Sequence, residues 1–284
     1  MKRYQEIAEK IQEADGILIG ASNGLSIAEG YNIFANDARF RRNFSDFQQK
    51  YGFRSLIQGS FYHFSSENEM WSYCSRMADC YAYPVQPSDC MRTLYQLVED
   101  KPHFVVTSNT DDHFAQAGFA RDTIFELEGS MAEMQCAKGC HDAVYASRDA
   151  VAAMRKQEQG MMIPDEYLPK CPICGGSMQL HIPMNRNFIR GKNMQRQHQR
   201  YQAFIHRFHG KNLLILEFGI GAGNQMIKAP LMQLAYQEPN AFYITFNKGE
   251  LSIAPEIQEK AFGIDGDISL ILPKILQWKR RCSL

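Results

Sequence analysis

Five short apolar runs, each ending in a polar or glycine-rich stretch, organise the chain. They are residues 17–19 (ILI), 104–106 (FVV), 123–127, 213–216 (LLIL) and AFYITFN, which ends at Asn247. Each is too short for a helix and is continuously apolar or nearly so, as strands covered on both faces are. Helical spacing fills much of the rest. The start, MKRYQEIAEKIQEAD, puts Tyr4, Ile7, Ala8 and Ile11 on one face, and residues 90–99 form a second amphipathic stretch after the turn and cap signal Pro84, Pro87, Ser88 and Asp89. Strands alternating with helices predict an α/β fold: a Rossmann-like, doubly wound parallel sheet.

In such sheets ligands sit outside the carboxyl ends of the strands. The 104–106 run ends in TSNTDD, which places Ser108, Asn109 and Asp111 at that edge, and the 123–127 run delivers Glu128 and Gly129 to a similar place. After 17–19 come Gly20, Ala21, Ser22, Asn23 and Gly24, then Ser26 and the Ala28-Glu29 pair, where a helix is expected to open. Small residues at a strand-to-helix turn let backbone N–H groups approach a pyrophosphate. An ordinary tight turn has the same composition, and neither GxGxxG nor a Walker lysine is present. A second glycine turn follows 213–216, with Gly219, Ile220, Gly221 and Gly223 leading to Asn224. Two such turns and the terminal Asn247 suit the two halves of a dinucleotide.

Two insertions interrupt this pattern. Residues 31–80 are rich in aromatics, among them Phe40, Phe44, Phe47, Tyr51, Phe53, Phe61, Tyr62, Phe64, Trp71 and Tyr73. Helical spacing predicts a small module packed by these rings. Arg39, Arg41 and Arg42 bracket Phe40, and two of the three are expected in solvent. The second insertion carries Cys136 and Cys140, then Cys171 and Cys174 in CPICGG. Paired thiols with glycine knuckles make a tetrahedral zinc site, and four protein ligands leave no open position, so the metal is structural. His141 is the poorer ligand. The expected division is residues 1–34, 81–130 and 211–284 for the nucleotide-binding domain. Residues 35–80 and 131–210 form the smaller domain.

Charge narrows the function classes. The 284 residues carry 31 Lys+Arg and 31 Asp+Glu, which gives no argument for nucleic acid. No apolar run approaches the roughly 18 residues of a membrane span. Eight cysteines without an export signal point to a reducing cytoplasm. Residues 167–216 contain no acid but eight Lys and Arg, in a segment read largely as helix with Tyr201, Phe204, Ile205 and Phe208 as its apolar stripe. Such one-signed charge can bind an acidic partner or be a solvated face.

The motif T-x-N-x-D, the Ala-Gly pair that follows it and E-L-x-G-S resemble the catalytic core of the sirtuins. Similarity extends over nearly the whole chain and is closest to the macrodomain-linked class M sirtuins of microbes, through LEFGIG, IKAP, WSYCSR and the absence of I-P-D-F-R. The resemblance implies NAD as co-substrate, held by Asn109 and Asp111, and a protein ADP-ribosyltransferase acting on a protein that can be a lipoyl carrier. It also implies a functional link to a macrodomain protein. Deacylating sirtuins have His at the position of Glu128 and class M has Gln, so this chain matches neither.

Three roles are open to Glu128: stabilising positive charge at the ribose C1′, deprotonating an attacking side chain, or deprotonating a ribose hydroxyl. A purely structural role in the loop is the fourth. Glu126, two residues earlier, is expected on the same strand face as a competing carboxylate. Transfer of ADP-ribose to protein is the leading expectation. An NAD-dependent protein-lysine deacylase and a catalytically inactive NAD or ADP-ribose sensor are the alternatives.

Overall fold

The apolar runs form strands because burial on both faces satisfies their side chains while the sheet satisfies their backbone. The structure, a computed structural model, describes residues 2–83 and 86–282, so Pro84 of the expected turn lies outside the described residues. Nine strands are present among them. In chain order they are β1 (Gly16–Ala21), β2 (His103–Thr107), β3 (Ile124–Glu126), β4 (Ser130–Cys136), β5 (Val144–Ala146), β6 (Met178–His181), β7 (Leu213–Phe218), β8 (Phe242–Asn247) and β9 (Ala261–Asp265). Six build a parallel sheet in the order β3-β2-β1-β7-β8-β9, and the other three an antiparallel sheet in the order β5-β4-β6. The strand order reverses between β1 and β7, which is where a doubly wound sheet opens a crevice.

Register aligns the strand ends there. Ala21 pairs with Thr107 on one side and Phe218 on the other, Thr107 pairs with Glu126, and Phe218 with Phe246. The residues that follow, Ser22, Ser108, Leu127 and Gly219, therefore leave the sheet at one level. On one face Ile7 and Ile11 of helix Lys2–Glu13 and Ile271, Leu272 and Ile275 of helix Ile268–Cys282 cover the strands; Leu94 and Leu97 of helix Asp89–Val98 complete that layer. On the other face sits helix Lys192–Arg207, with Tyr201 and Phe204 against Phe104 at ring separations of 5.9 and 5.6 Å. This helix, expected with the smaller domain, instead packs on the parallel sheet. Among the described residues no helix is long and apolar enough to cross a membrane.

The aromatic insertion and the antiparallel sheet share one core. Phe40, Phe44, Phe47, Trp71 and Tyr73 from helices Ala38–Tyr51 and Glu67–Met77 pack with Met131, Met134 and Leu180 of the sheet. Phe61 is the exception, 58% exposed, whereas Tyr62, 42% exposed, still sets its ring 4.7 Å from Tyr51 and 5.1 Å from Phe64. Arg76 ties the two parts together: its guanidinium donates to both oxygens of Asp46 at 2.7 and 2.8 Å, to Glu158 at 2.7 Å and to the Gly160 carbonyl at 2.9 Å. Of the three arginines around Phe40, Arg41 and Arg42 are exposed, whereas Arg39 lies over the Tyr31 ring at 3.9 Å and donates to the Cys80 carbonyl at 3.1 Å.

Candidate active site

The two glycine turns touch each other. Gly24 donates its N–H to the Gly219 carbonyl at 2.9 Å, and Gly219 has a left-handed φ of 61°. A Cβ on Gly219 would lie 2.3 Å from backbone atoms of Gly24 and Leu25, and one on Gly24 would lie 2.5 Å from the Gly219 Cα. Glycine is needed here because two backbones meet. The approach of a pyrophosphate, on which the sequence argument relied, is not what demands it. Gly20 is likewise a packing residue, since its missing Cβ leaves room for Leu231, and the Ile220 side chain is fully buried in the core. Gly221 and Asn23 stand at partly open positions. The turn helix runs Asn23–Ala28, so the Ala28-Glu29 pair closes it instead of opening it.

Around these turns the tips of three strands join through side chains. Ser108 donates to the Ser22 hydroxyl at 3.1 Å, and the Asn224 amide donates to both hydroxyls at 3.0 and 3.1 Å. Asn109 donates to the Ser22 carbonyl at 3.2 Å, while its own Oδ1 is buried with no partner. A buried amide oxygen without a donor costs free energy unless something supplies one. This is the property expected of a side chain that meets a ligand. Asn247 lies two strands from β1 and donates to the Glu250 carbonyl at 2.9 Å, outside this group.

Asp111 is buried in a different network. Ser26 donates to its Oδ2 at 2.5 Å and the His113 backbone N–H to its Oδ1 at 3.1 Å. The His113 ring stands between two carboxylates, with Nδ1 3.2 Å from Glu29 Oε1 and 3.7 Å from Asp111 Oδ2, and Nε2 2.7 Å from the Tyr81 carbonyl. Burial pushes the imidazole down, but Asp111 and Glu29 outweigh it and raise it to about 9. Burial raises the Glu29 carboxyl. Sequence reasoning missed His113 as a member of the site and used Glu29 only as a helix signal; neither belongs to a recognisable spacing motif. Asp112 beside them has φ 61°, an uncommon left-handed value for a non-glycine residue, and is held by both guanidinium nitrogens of Arg121 at 2.7 and 2.8 Å.

Glu128 faces a cleft of about 130 Å³ between the two layers. Asn23, Ser108, Thr110 and Glu128 supply its polar wall, and Ile33, Phe34, Leu56, Phe61, Met131 and Ile182 are among its apolar lining. Partial burial pushes the Glu128 carboxyl up, and the positive charge of Arg190 works against this. Gly129 has φ 69°, and a Cβ there would sit 2.1 Å from the His181 carbonyl, so β6 fixes the turn that presents Glu128. Glu126 does not share its face. The strand ends at Glu126, which lines a separate pocket with Glu133, Gln197 and Arg200. Burial, Asp112 and Glu133 hold its carboxyl well above the usual range.

A fully buried ion pair fixes the second glycine turn. Lys228 donates to Glu217 at 2.6 Å, and Thr245 does so at 2.7 Å, with Tyr243 as a further donor. Glu217 belongs to LEFGIG and Lys228 to IKAP, so the two motifs are halves of one contact. At the far end of the smaller layer, all four cysteine sulfurs lie within 4.8 Å of one another, with Cys136–Cys174 and Cys140–Cys171 both at 3.7 Å. A tetrahedron with Zn–S bonds of about 2.3 Å has edges of about 3.8 Å, so these thiols fit a structural zinc ion. His141 Nδ1 stands 3.0 Å from the Cys140 sulfur, beside the four.

A sequence model of the Sir2 family matches residues 38–206. Among curated proteins, a protein ADP-ribosyltransferase of Staphylococcus aureus is 31% identical over 278 residues, 97% of this chain and 88% of the relative. A probable bifunctional ADP-ribose hydrolase/ADP-ribosyltransferase of Fusarium oxysporum is 28% identical over 95% of this chain, which spans 47% of that longer protein. Among solved structures, a Sir2 homologue in complex with NAD superposes with a TM-score of 0.63 at 17% identity, covering 98% of this chain and 94% of the other. With the family match spanning more than half of the sequence and the bacterial relative aligned along nearly all of it, this chain belongs to the Sir2 family.

Proposed function

We propose that this protein cleaves NAD at the nicotinamide–ribose bond and transfers the ADP-ribose to a side chain of an acceptor protein. The observation that carries the reading is the unpartnered Asn109 Oδ1, buried where the tips of β1, β2 and β7 are joined by Ser22, Ser108 and Asn224. Breaking the glycosidic bond develops positive charge at C1′, which oriented dipoles and a carboxylate stabilise. Asn109 offers a fixed carbonyl dipole. Ser26 and His113 hold the Asp111 carboxylate in one orientation. Glu128, raised by burial, accepts the proton of the attacking acceptor group as the bond to C1′ forms and nicotinamide departs. The four-cysteine zinc site would brace the smaller layer without taking part in these steps.

The name of the bacterial relative supports transfer to protein, and the fungal name couples ADP-ribosyl transfer to ADP-ribose hydrolysis, in keeping with a macrodomain link. A lipoyl carrier protein is the specific acceptor we propose, and the cytoplasm the compartment. The apolar wall beside Glu128 favours a second reading, in which an acyl-lysine enters the cleft and the protein acts as a deacylase. NAD labelled in its adenylate half, incubated with the pure protein and cytosolic extract, separates the two. Label on protein supports transfer, and acyl-ADP-ribose supports deacylation. Tight NAD binding without nicotinamide release refutes both and leaves a sensor. Asn109→Ala is expected to abolish nicotinamide release while the fold persists.

A further inference from the structure

The cations of residues 186–211 form an ordered surface that the chemistry above does not use. Arg186, Arg190, Lys192, Arg196, Arg200, Arg207 and Lys211 lie in a segment, 167–216, without a single acidic residue. Among the described residues none of the seven takes part in an ion pair within 4.0 Å. Aromatic rings hold three of them: Arg190 lies over Phe188 at 5.2 Å, and Arg207 and Lys211 over Phe208 at 5.2 and 5.6 Å. On helix Lys192–Arg207, the residues Lys192, Arg196, Arg200 and Arg207 fall within an arc of about 80° at 100° per residue. Met194, Tyr201, Phe204 and Ile205 fall between about 120° and 220° on the same wheel, outside the cationic arc, and pack against the sheet. The stripe starts at the reaction cleft. Ile182, Pro183 and Met184 line the cleft, and Arg190 is near enough to act on the Glu128 carboxyl.

We propose that this stripe docks the acceptor protein through an acidic surface and guides its modified side chain toward Glu128. The inference rests on the transferase reading and adds the charge class of the acceptor. Complementary charge accelerates encounter and fixes orientation without requiring a large apolar interface. The segment's eight cations are segregated in sequence from the chain's acids, and in space Glu126 and Glu133 approach the stripe at Arg200, with which they share a pocket. A nucleic acid is the weaker fit. Binding single strands needs open aromatic faces for stacking, and Tyr201, Phe204 and Phe208 are packed against the sheet or buried in it.

The test uses the full chain and a fluorescent twelve-residue poly-glutamate peptide, with a single-stranded oligonucleotide of equal charge as the competitor. The peptide is expected to bind with an affinity that falls as salt rises. The variant carrying Lys192→Glu, Arg196→Glu and Arg200→Glu should lose at least tenfold in peptide affinity and in labelling of extract proteins. Its acceptor-independent nicotinamide release should be unchanged. A milder Arg196→Gln/Arg200→Gln variant should lie between the two. Full labelling by the charge-reversed protein overturns the proposal, as does tighter binding of the oligonucleotide than of the peptide. If the wild-type protein releases no nicotinamide yet binds the peptide with this salt dependence, the transferase reading fails and the docking surface stands.

Discussion

Raising the pH through 9 should remove a specific part of this protein's stability, and His113 is the reason. The ring is 4% exposed, donates Nε2–H to the Tyr81 carbonyl at 2.7 Å, and turns Nδ1 toward Glu29 and Asp111 at 3.2 and 3.7 Å. Its pKa rises from 6.5 to about 9 on folding. A raised folded-state value means that the native protein binds more protons than the unfolded chain, so stability falls as pH rises. The contribution is complete below pH 6.5, declines from there, and is lost once pH has passed about 9. At 1.36 kcal/mol per pKa unit the shift corresponds to about 3 kcal/mol. Glu29 is raised by burial too; this shift has the same sign of slope and lies lower in pH, because a carboxyl starts from a lower reference value. Urea unfolding of wild type and His113→Gln at intervals from pH 6 to 10 isolates the term, because thiols and phenols that titrate in both cancel in the difference. Wild type should lose about 3 kcal/mol more than the variant across this window. Parallel curves would show that His113 carries no extra proton between the carboxylates, and the ring's charged role beside Glu29 and Asp111 would fall, while the Ser26 and His113 backbone hydrogen bonds to Asp111 would be untouched.

Other perturbations test separate parts of the architecture. Gly219→Ala should lower stability by about 2 kcal/mol or more and weaken NAD binding in calorimetry, because the added Cβ meets backbone at 2.3 Å in a left-handed residue. Lys228→Met leaves Glu217 buried and unpaired, with an expected loss of roughly 3–5 kcal/mol. Adding Glu217→Gln should return part of it in a double-mutant cycle. Cys136→Ser should abolish bound zinc, measured by elemental analysis, and lower the protection from hydrogen exchange of β4 and β6 while β1 and β7 keep theirs.

Legibility followed the range of the interaction. Strands β1, β2, β7 and β8 were plain in the sequence because burial on both faces writes an unbroken apolar run. The three-residue β3 was drawn too long, since a 3-10 turn over Arg121–Thr123 occupies its expected start. The strands of the antiparallel sheet gave no such run: β4, SMAEMQC, mixes polar and apolar positions. The cysteines were readable because ligand spacing within each pair is local. Contacts between distant segments were not readable. His113 and Glu29 are 84 residues apart, Arg76 and Glu158 82, and Asn224 and Ser22 202.

The glycines show where a correct signal carried an incomplete reason. Composition marked Gly24 and Gly219 as special without saying what approaches them. In the fold each is the other's neighbour, and the contact brings Asn224 onto Ser22 and Ser108. Glu217 and Lys228 lie beneath that contact and anchor the strand and helix on either side of the second turn. Two sequence motifs that look like independent fingerprints therefore act together on one geometry. A change in either should alter the position of the Asn224 amide before it alters any group facing the cleft. The expected signature is a higher KM for NAD with Glu128-dependent pH behaviour intact, and a variant of Lys228 that shifted the pH profile while leaving KM alone would contradict this coupling.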